Sequence, residues 1–423
     1  MRYTKKDLGS FNLHLIKTKK FKTTMIRVVF HTPIKKDEIT KRNILSDILL
    51  QSSEKYENRR SLTIESEELY AADVSTSNHR LGNYLFTNFT LQVLRDQYTE
   101  EGNLEKAVEF LSDIIFSPDI SNNSFKEEKL DIVKVNTVVA LNSLKEDATS
   151  YSLIRMAEAY DKDSPVSYRM TGYLEDLEKI TEKNLYETYQ NMIDNDYVDI
   201  FVVGEYDNAE MLAIIKKYFK FKKIKKPKEP YLISPKKCRK RRLFAKETIE
   251  NSQSKLAIAC PINKLTEYER DYPLLLANLI LGGGSDSKLF QNVREKNSLC
   301  YSIHSFINKF DNLLVIVAGI DKKNFNKTVE LTTEILTNMK KGKISEREIQ
   351  IAKEFYSSAA KEVEESEYRM MNEVFMQEIL GIEPLEERVR KMRQVSKQEI
   401  VKVCKKINMD TVFLLEGVKN EEN

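Results

Sequence analysis

The sequence predicts an α+β protein of two homologous α/β-sandwich domains, each a mostly antiparallel sheet packed with helices. Three observations predict it. A chain of 423 residues exceeds what one compact core supports and suits two domains of roughly 200 residues each. One order of strand and helix signals runs through the chain twice. Between the two runs, Lys216 to Arg242 reads KKYFKFKKIKKPKEPYLISPKKCRKRR, with Glu229 its only acid and Pro227, Pro230 and Pro235 as breakers. That is the composition of a solvated linker. The expected boundaries are a first domain over 1–220, a basic linker over 221–243 and a second domain over 244–423.

Each element has its own signal. Phe21 to Phe30 alternates β-branched and polar residues and ends in Thr32-Pro33-Ile34, a strand closed by proline. Lys36 to Ser52 places Ile39, Ile44, Leu45, Ile48 and Leu49 on one helical face. Thr63 to Tyr70 reads as a second helix. A strand then starts at Ala71-Ala72-Asp73-Val74, a turn is expected over Asn78 to Gly82, and Leu85, Phe89, Leu91 and Val93 mark the return strand. Leu104, Val108, Leu111 and Ile115 form a helical stripe stopped by Pro118. A helix-rich stretch from Ser124 to Asn191 leads to a buried strand over Asp199 to Gly204. The second run answers the first. Lys255 to Ala259 ends in Cys260-Pro261-Ile262, a leucine-rich helix spans Asp271 to Leu281, and Leu313 to Ala318 is a strand. Both runs close alike, a capped helix start (Thr181, Ser396) leading to an apolar strand and a glycine (Gly204, Gly417).

Composition excludes several classes. Hydrophobic residues make up 41% and charged residues 31%, a globular balance. No run reaches the ~18 apolar residues of a membrane span, so no membrane partner is expected. The first residues lead into no apolar segment, and Cys238, Cys260, Cys300 and Cys404 form no CxxC pair; reduced thiols in a cytoplasmic protein are expected. The net charge of +3 is too small to predict a nucleic-acid partner.

Chemistry-bearing motifs are few. His14, His31, His79 and His304 stand apart, with no HxxEH or HxxH pair, and no GxSxG elbow is present. Cys300 lies four residues before His304 on an expected strand, which is no nucleophile–base arrangement. Gly282-Gly283-Gly284-Ser285-Asp286-Ser287-Lys288 follows a helix and lacks P-loop spacing. Three glycines there serve either a helix end or a backbone that something approaches closely.

The stretch from Leu281 to Ser302, LGGGSDSKLFQNVREKNSLCYS, is similar to the second-domain signature of the insulinase/pitrilysin family, near LGGGxxSRLFxxVREKxGLxYSV. It departs mainly at Lys288 and Ser298. That family, to which the mitochondrial processing peptidase belongs, is built of two homologous α/β domains, and because Gly172, Ile180-Thr181, Leu185 and Val202-Val203-Gly204 also fall in its order, the resemblance covers essentially the whole chain. It implies a zinc site on the first domain's long helix, HxxEH with a distant glutamate. Here Asn43 and Asp47 stand at the histidine positions, Ser46 at the base and Val135 at the last ligand. No zinc, no other cofactor and no catalysis are expected. Zinc-free members usually accompany a zinc-bearing paralogue, so the resemblance implies a non-catalytic subunit of a heterodimer that binds peptide substrate. Arg294 and Tyr301 match the pair that touches peptide in active members, and Gly282, Gly283 and Gly284 match the glycine loop beside it. Two other readings stay open: a stand-alone scaffold or homodimeric peptide-binding module, and an RNA- or ribosome-associated factor using the basic run.

Overall fold

The computed structural model describes residues 2–222 and 229–418. The chain divides into two compact units, 1–142, 169–230 and 362–382 in unit one, and 143–168, 231–361 and 383–423 in unit two.

Unit one holds a six-stranded sheet of β1 (Arg2–Asp7), β2 (Asn12–Lys17), β3 (Thr23–Pro33), β4 (Asp73–Leu81), β5 (Tyr84–Leu94) and β6 (Tyr197–Gly204), in the order β1-β2-β6-β3-β5-β4. Unit two holds a five-stranded sheet of β7 (Leu243–Glu250), β8 (Ser254–Pro261), β9 (Cys300–Asn308), β10 (Leu313–Ile320) and β11 (Thr411–Val418), in the order β9-β10-β8-β11-β7. Set β1 aside and the two orders coincide strand for strand. Each has one parallel pair, β2 with β6 and β7 with β11, the rest being antiparallel. The repeat expected from sequence is present as topology.

Local chemistry explains the strands. All eight residues of β10 are buried, as a strand covered on both faces requires. Among the described residues β4 pairs only with β5, and it alternates exposed and half-buried residues over Asp73–Ser77, as an edge strand does. The turn expected over Asn78 to Gly82 falls later. Asn78 to Leu81 extend β4, and the loop is Gly82-Asn83, with Gly82 at φ +56°. A two-residue hairpin needs that left-handed geometry, and glycine supplies it.

Seven helices are labelled here: α1 (Lys36–Leu49), α2 (Glu127–Asn142), α3 (Ala148–Asp161), α4 (Glu182–Asn195), α5 (Pro273–Gly282), α6 (Glu367–Leu380) and α7 (Lys397–Cys404). Thr181 and Ser396 each close a capping box at the start of α4 and α7.

The compact units are not the sequential halves 1–220 and 244–423. Helix α3, early in the chain, belongs to unit two, and α6, late in the chain, belongs to unit one. Tyr151, Met156 and Tyr160 of α3 pack on Ala257, Ala259, Val315, Phe413 and Leu415 of sheet two. The other face of that sheet meets α5 through Leu256, Ile258, Leu276 and Ile280. In unit one, Phe375 of α6 sits edge-on to Phe86 at 5.4 Å and to Phe201 at 5.7 Å. The exchange satisfies each sheet's second face. Long-range packing dictates it, and no local signal encodes it.

The expected linker is held more firmly than its composition suggests. Residues 223–228 of the basic run lie outside the described residues. Beyond them, Ile233 exchanges hydrogen bonds with Phe310 O (2.7 Å) and Asn312 Nδ2 (2.9 Å). The Arg239 guanidinium pairs with buried Asp410 and donates to Tyr160 O at 2.9 Å. A buried carboxylate needs a cation, and Arg239 supplies it. Lys236 and Lys222 are likewise paired, with Asp161 and Asp194.

Candidate functional site

On α1, Asn43, Ser46 and Asp47 share one helical neighbourhood, and α2, which carries Val135, packs against α1. None of the four offers what zinc would need there. The Asn43 amide donates to Met170 O at 2.7 Å. The Ser46 hydroxyl donates to Arg42 O at 2.7 Å and accepts from Asn78 Nδ2 at 2.7 Å. Val135 has no donor atom and is 62% exposed. Only Asp47 remains, exposed at the helix surface. Crowding by nearby protein raises its carboxyl pKa, against the pull of Arg59. Two of the four side chains are spent on hydrogen bonds within the fold, and one carboxylate does not hold a zinc ion. Among the described residues no group of three histidine, cysteine or carboxylate side chains is placed to hold a metal ion. The site does not fit zinc.

The open edge of β4 runs beside these positions, tied to them by Asn78. Along Asp73–His79 its outward N–H and C=O groups meet no neighbouring strand among the described residues, so an extended segment can pair there.

In unit two, Arg294 lies in a π-helical segment, Phe290–Glu295, a form that recurs at functional sites. Its guanidinium stacks over the Phe290 ring at 4.6 Å and lies 3.5 Å from Glu295. Tyr301 is 61% exposed, and its hydroxyl reaches Asp321 only at 3.5 Å. The two line one open depression of about 410 Å³ with Ser298, Asp321 and Asn324. Ser298, where the family signature has glycine, adopts φ +50°, a conformation that strains a residue bearing a Cβ.

The glycines have a packing role. A Cβ on Gly282 would lie 2.7 Å from Ser305 N, and one on Gly283 would lie 2.8 Å from Leu279 Cα. The close approach that calls for glycine at these two positions comes from the protein's own chain. Only Gly284 borders open space.

Cys300 and His304 form no nucleophilic pair, for burial raises the Cys300 thiol to about 11 and lowers the His304 imidazole. Burial likewise lifts Cys260 and Cys404 to about 12, leaving inert thiols.

Sequence reasoning treated the histidines as solitary. In unit one, however, His14 and His31 flank Asp199, with His14 Nε2 at 2.9 Å and His31 Nε2 at 3.0 Å from its two oxygens. Burial pushes the Asp199 carboxyl up, but the hydrogen bonds and charges of His14 and His31 outweigh it and hold it well below the usual range. Asn12 donates to the same carboxylate at 2.9 Å. The Tyr3 hydroxyl lies 2.8 Å from His14 Nδ1 and 2.6 Å from Glu378 of α6. The one available signal was an aspartate inside an otherwise apolar strand.

Fold and site together define a non-catalytic relative of two-domain zinc peptidases, and comparison with known proteins gives the family. A family model described as "Peptidase M16 inactive domain" matches residues 179–356. The chain is 30% identical over 415 residues to "Probable inactive metalloprotease YmfF" of Bacillus subtilis (strain 168), covering 97% of each. It is 25% identical over 293 residues to "Uncharacterized zinc protease YmxG" of the same strain, covering 67% of this chain and 68% of that one. Among solved structures, a conserved protein from Enterococcus faecalis V583 matches with a TM-score of 0.90 and 29% identity, over 99% of this chain and 100% of the other. The chain belongs to the M16 peptidase family, the insulinase/pitrilysin family of the sequence signature, as an inactive metalloprotease homologue. No helix among the described residues is long and apolar enough to cross a membrane.

Proposed function

We propose that the chain is the zinc-free subunit of a cytoplasmic heterodimeric peptidase, gripping peptide substrate and supporting a zinc-bearing paralogue. The observation that carries this reading is the state of Arg294 and Tyr301. A purely structural pair would be buried and saturated. These two line one open depression, the phenol 61% exposed and the guanidinium held only by the Phe290 ring and Glu295 among the described residues. A tyrosine hydroxyl and a guanidinium so placed can hold the carbonyl oxygens of a peptide backbone. The outer edge of β4 along Asp73–His79, which meets no neighbouring strand among the described residues, supports the same reading, offering main-chain hydrogen bonds to an extended chain. The occurrence in one bacterial strain of a relative named inactive and another named a zinc protease supports the pairing of subunits.

A tagged copy purified from its native cell should bring down a protein of similar size bearing HxxEH. Arg294→Ala combined with Tyr301→Phe should leave that assembly intact and lower peptide affinity or turnover several-fold. Unchanged binding and turnover in the assembled double mutant reject the role of the pair. Peptide binding by the chain alone, with no paralogue recovered, favours the stand-alone module instead.

A further inference from the structure

Beneath α6, on the side of sheet one away from α1, lies a cavity of about 370 Å³, lined in part by Ser77, His79 and Leu81 of β4 and separate from the depression at Tyr301. Its walls are apolar, from Phe201, Met371, Phe375 and Met376. Into it projects Arg27 of β3, half-buried, its Nε donating to Thr90 Oγ1 at 3.0 Å and its Nη1 to Asn372 Oδ1 at 3.3 Å, with the Tyr368 ring stacked at 4.7 Å. No carboxylate among the described residues pairs with it, although burial lowers its pKa and so marks a real cost. The Asn372 oxygen faces Arg27, which leaves its Nδ2 as a second donor without a protein acceptor among the described residues. His79, also lining the cavity, has its Nδ1 3.1 Å from Asn88 Nδ2; the tautomer that accepts there carries its proton on Nε2, a third donor. Three donors and a positive charge converge in an apolar chamber of small-ligand size, and what they lack is an anion.

We infer that this cavity binds a small carboxylic acid with an apolar body, its carboxylate held by Arg27 and Asn372 and its hydrocarbon lying along Phe201 and Met371. A planar guanidinium matches a carboxylate in two hydrogen bonds, and the apolar walls reject fully hydrated anions.

Calorimetric titration of the full chain with 4-phenylbutyrate and 4-methylvalerate, beside the neutral 4-phenyl-1-butanol, tests the inference. One acid per chain should bind, at least about tenfold tighter than the alcohol. Arg27→Met should remove that preference while leaving the alcohol's weak binding unchanged. Because Arg27→Met could disturb the seat of α6, Ser77→Trp, at an exposed position on the cavity rim, provides a second variant that should block both ligands. Equal affinity for acid and alcohol overturns the site, as does full acid binding by Arg27→Met or Ser77→Trp. Absence of heat from both acids at millimolar concentration overturns it as well.

Discussion

Sheet one under α6 and sheet two under α3 occupy equivalent places in the repeat, yet their covered faces are chemically opposite. Pro33 and Pro261 end equivalent strands, so Val29 and His31 of β3 correspond to Ala257 and Ala259 of β8. Val29 pairs with Asp199 across the sheet, whereas Ala257 pairs with Phe413. His31 pairs with Phe86, and Ala259 with Val315. One helix therefore lies on His14, His31, Asp199, Arg27 and Asn88 set among Phe86 and Phe201, and the other on alanine, valine and phenylalanine alone. Topology survives either chemistry, because the other face of each sheet carries apolar packing of its own. The apolar seat is the simpler way to stabilise a helix. The polar seat is tolerated because Asn12, His14, His31 and Asp199 satisfy one another, and Arg27, without a carboxylate partner among the described residues, is the charge left for the ligand inferred above.

The largest test of this contrast is to put the polar chemistry where nothing answers it. Phe413→Asp should unfold unit two, losing the ~3–5 kcal/mol of a buried phenylalanine and adding a buried carboxylate with no histidine beside it; circular dichroism and a thermal melt would show this. Asp199→Ala should cost about 3–5 kcal/mol in urea, since His14 and His31 lose their shared acceptor. If Asp199→Ala melts like the wild type, the network contributes nothing to holding the face together.

A pH titration should separate the two units more gently. Burial, with the charge of Arg27, lowers the His79 pKa to about 4. The unfolded chain takes up that proton below about pH 6.5 while the folded chain does not, so stability falls as the pH drops from about 6.5 to about 4. His79→Gln should flatten this slope. The depressed Asp199 carboxyl acts in a lower window, its stabilisation being present above about pH 4 and lost as the solution becomes more acid. The smallest effect belongs to Glu367→Gln at the start of α6. Its carboxylate accepts from Thr23 at 2.9 Å and Gln92 at 2.8 Å, and because burial already raises its pKa, neutralisation should change the melting temperature by only a degree or two, ~0.5 kcal/mol.

Much of this was legible beforehand. Proline-closed β3 and β8, the α1 stripe, the paired capping boxes and the Leu281–Ser302 signature are local patterns, and each appears where it was read. Asn43, Ser46, Asp47 and Val135 were placed by resemblance alone, and the structure adds what their side chains touch. What was not legible depends on distant partners. Strands β1 and β2 are short, and β2 is fixed by pairing with β6 across most of unit one. The turn after β4 was misplaced because Asn78 looks like a turn residue, yet its amide is needed by Ser46. The polar face of sheet one was missed because His14, His31 and Asp199 each look unremarkable in isolation. The linker looked solvated because Asp410, the partner of Arg239, lies far along the chain.

The exchange of α3 and α6 also sets a timetable. Helix α3 leaves the ribosome before any strand of the sheet it will cover, so the apolar face of sheet two finds its lid already made. Sheet one is in the opposite position. Its last strand ends at Gly204, but α6 begins only at Glu367, a delay on the order of ten seconds at ordinary translation rates. The face that must stand open to water through that interval is the one lined with histidine, asparagine, arginine and aspartate. Phe86 and Phe201 also stand on that face, but the polar groups among them break the apolar surface into patches while the nascent chain waits for its cover.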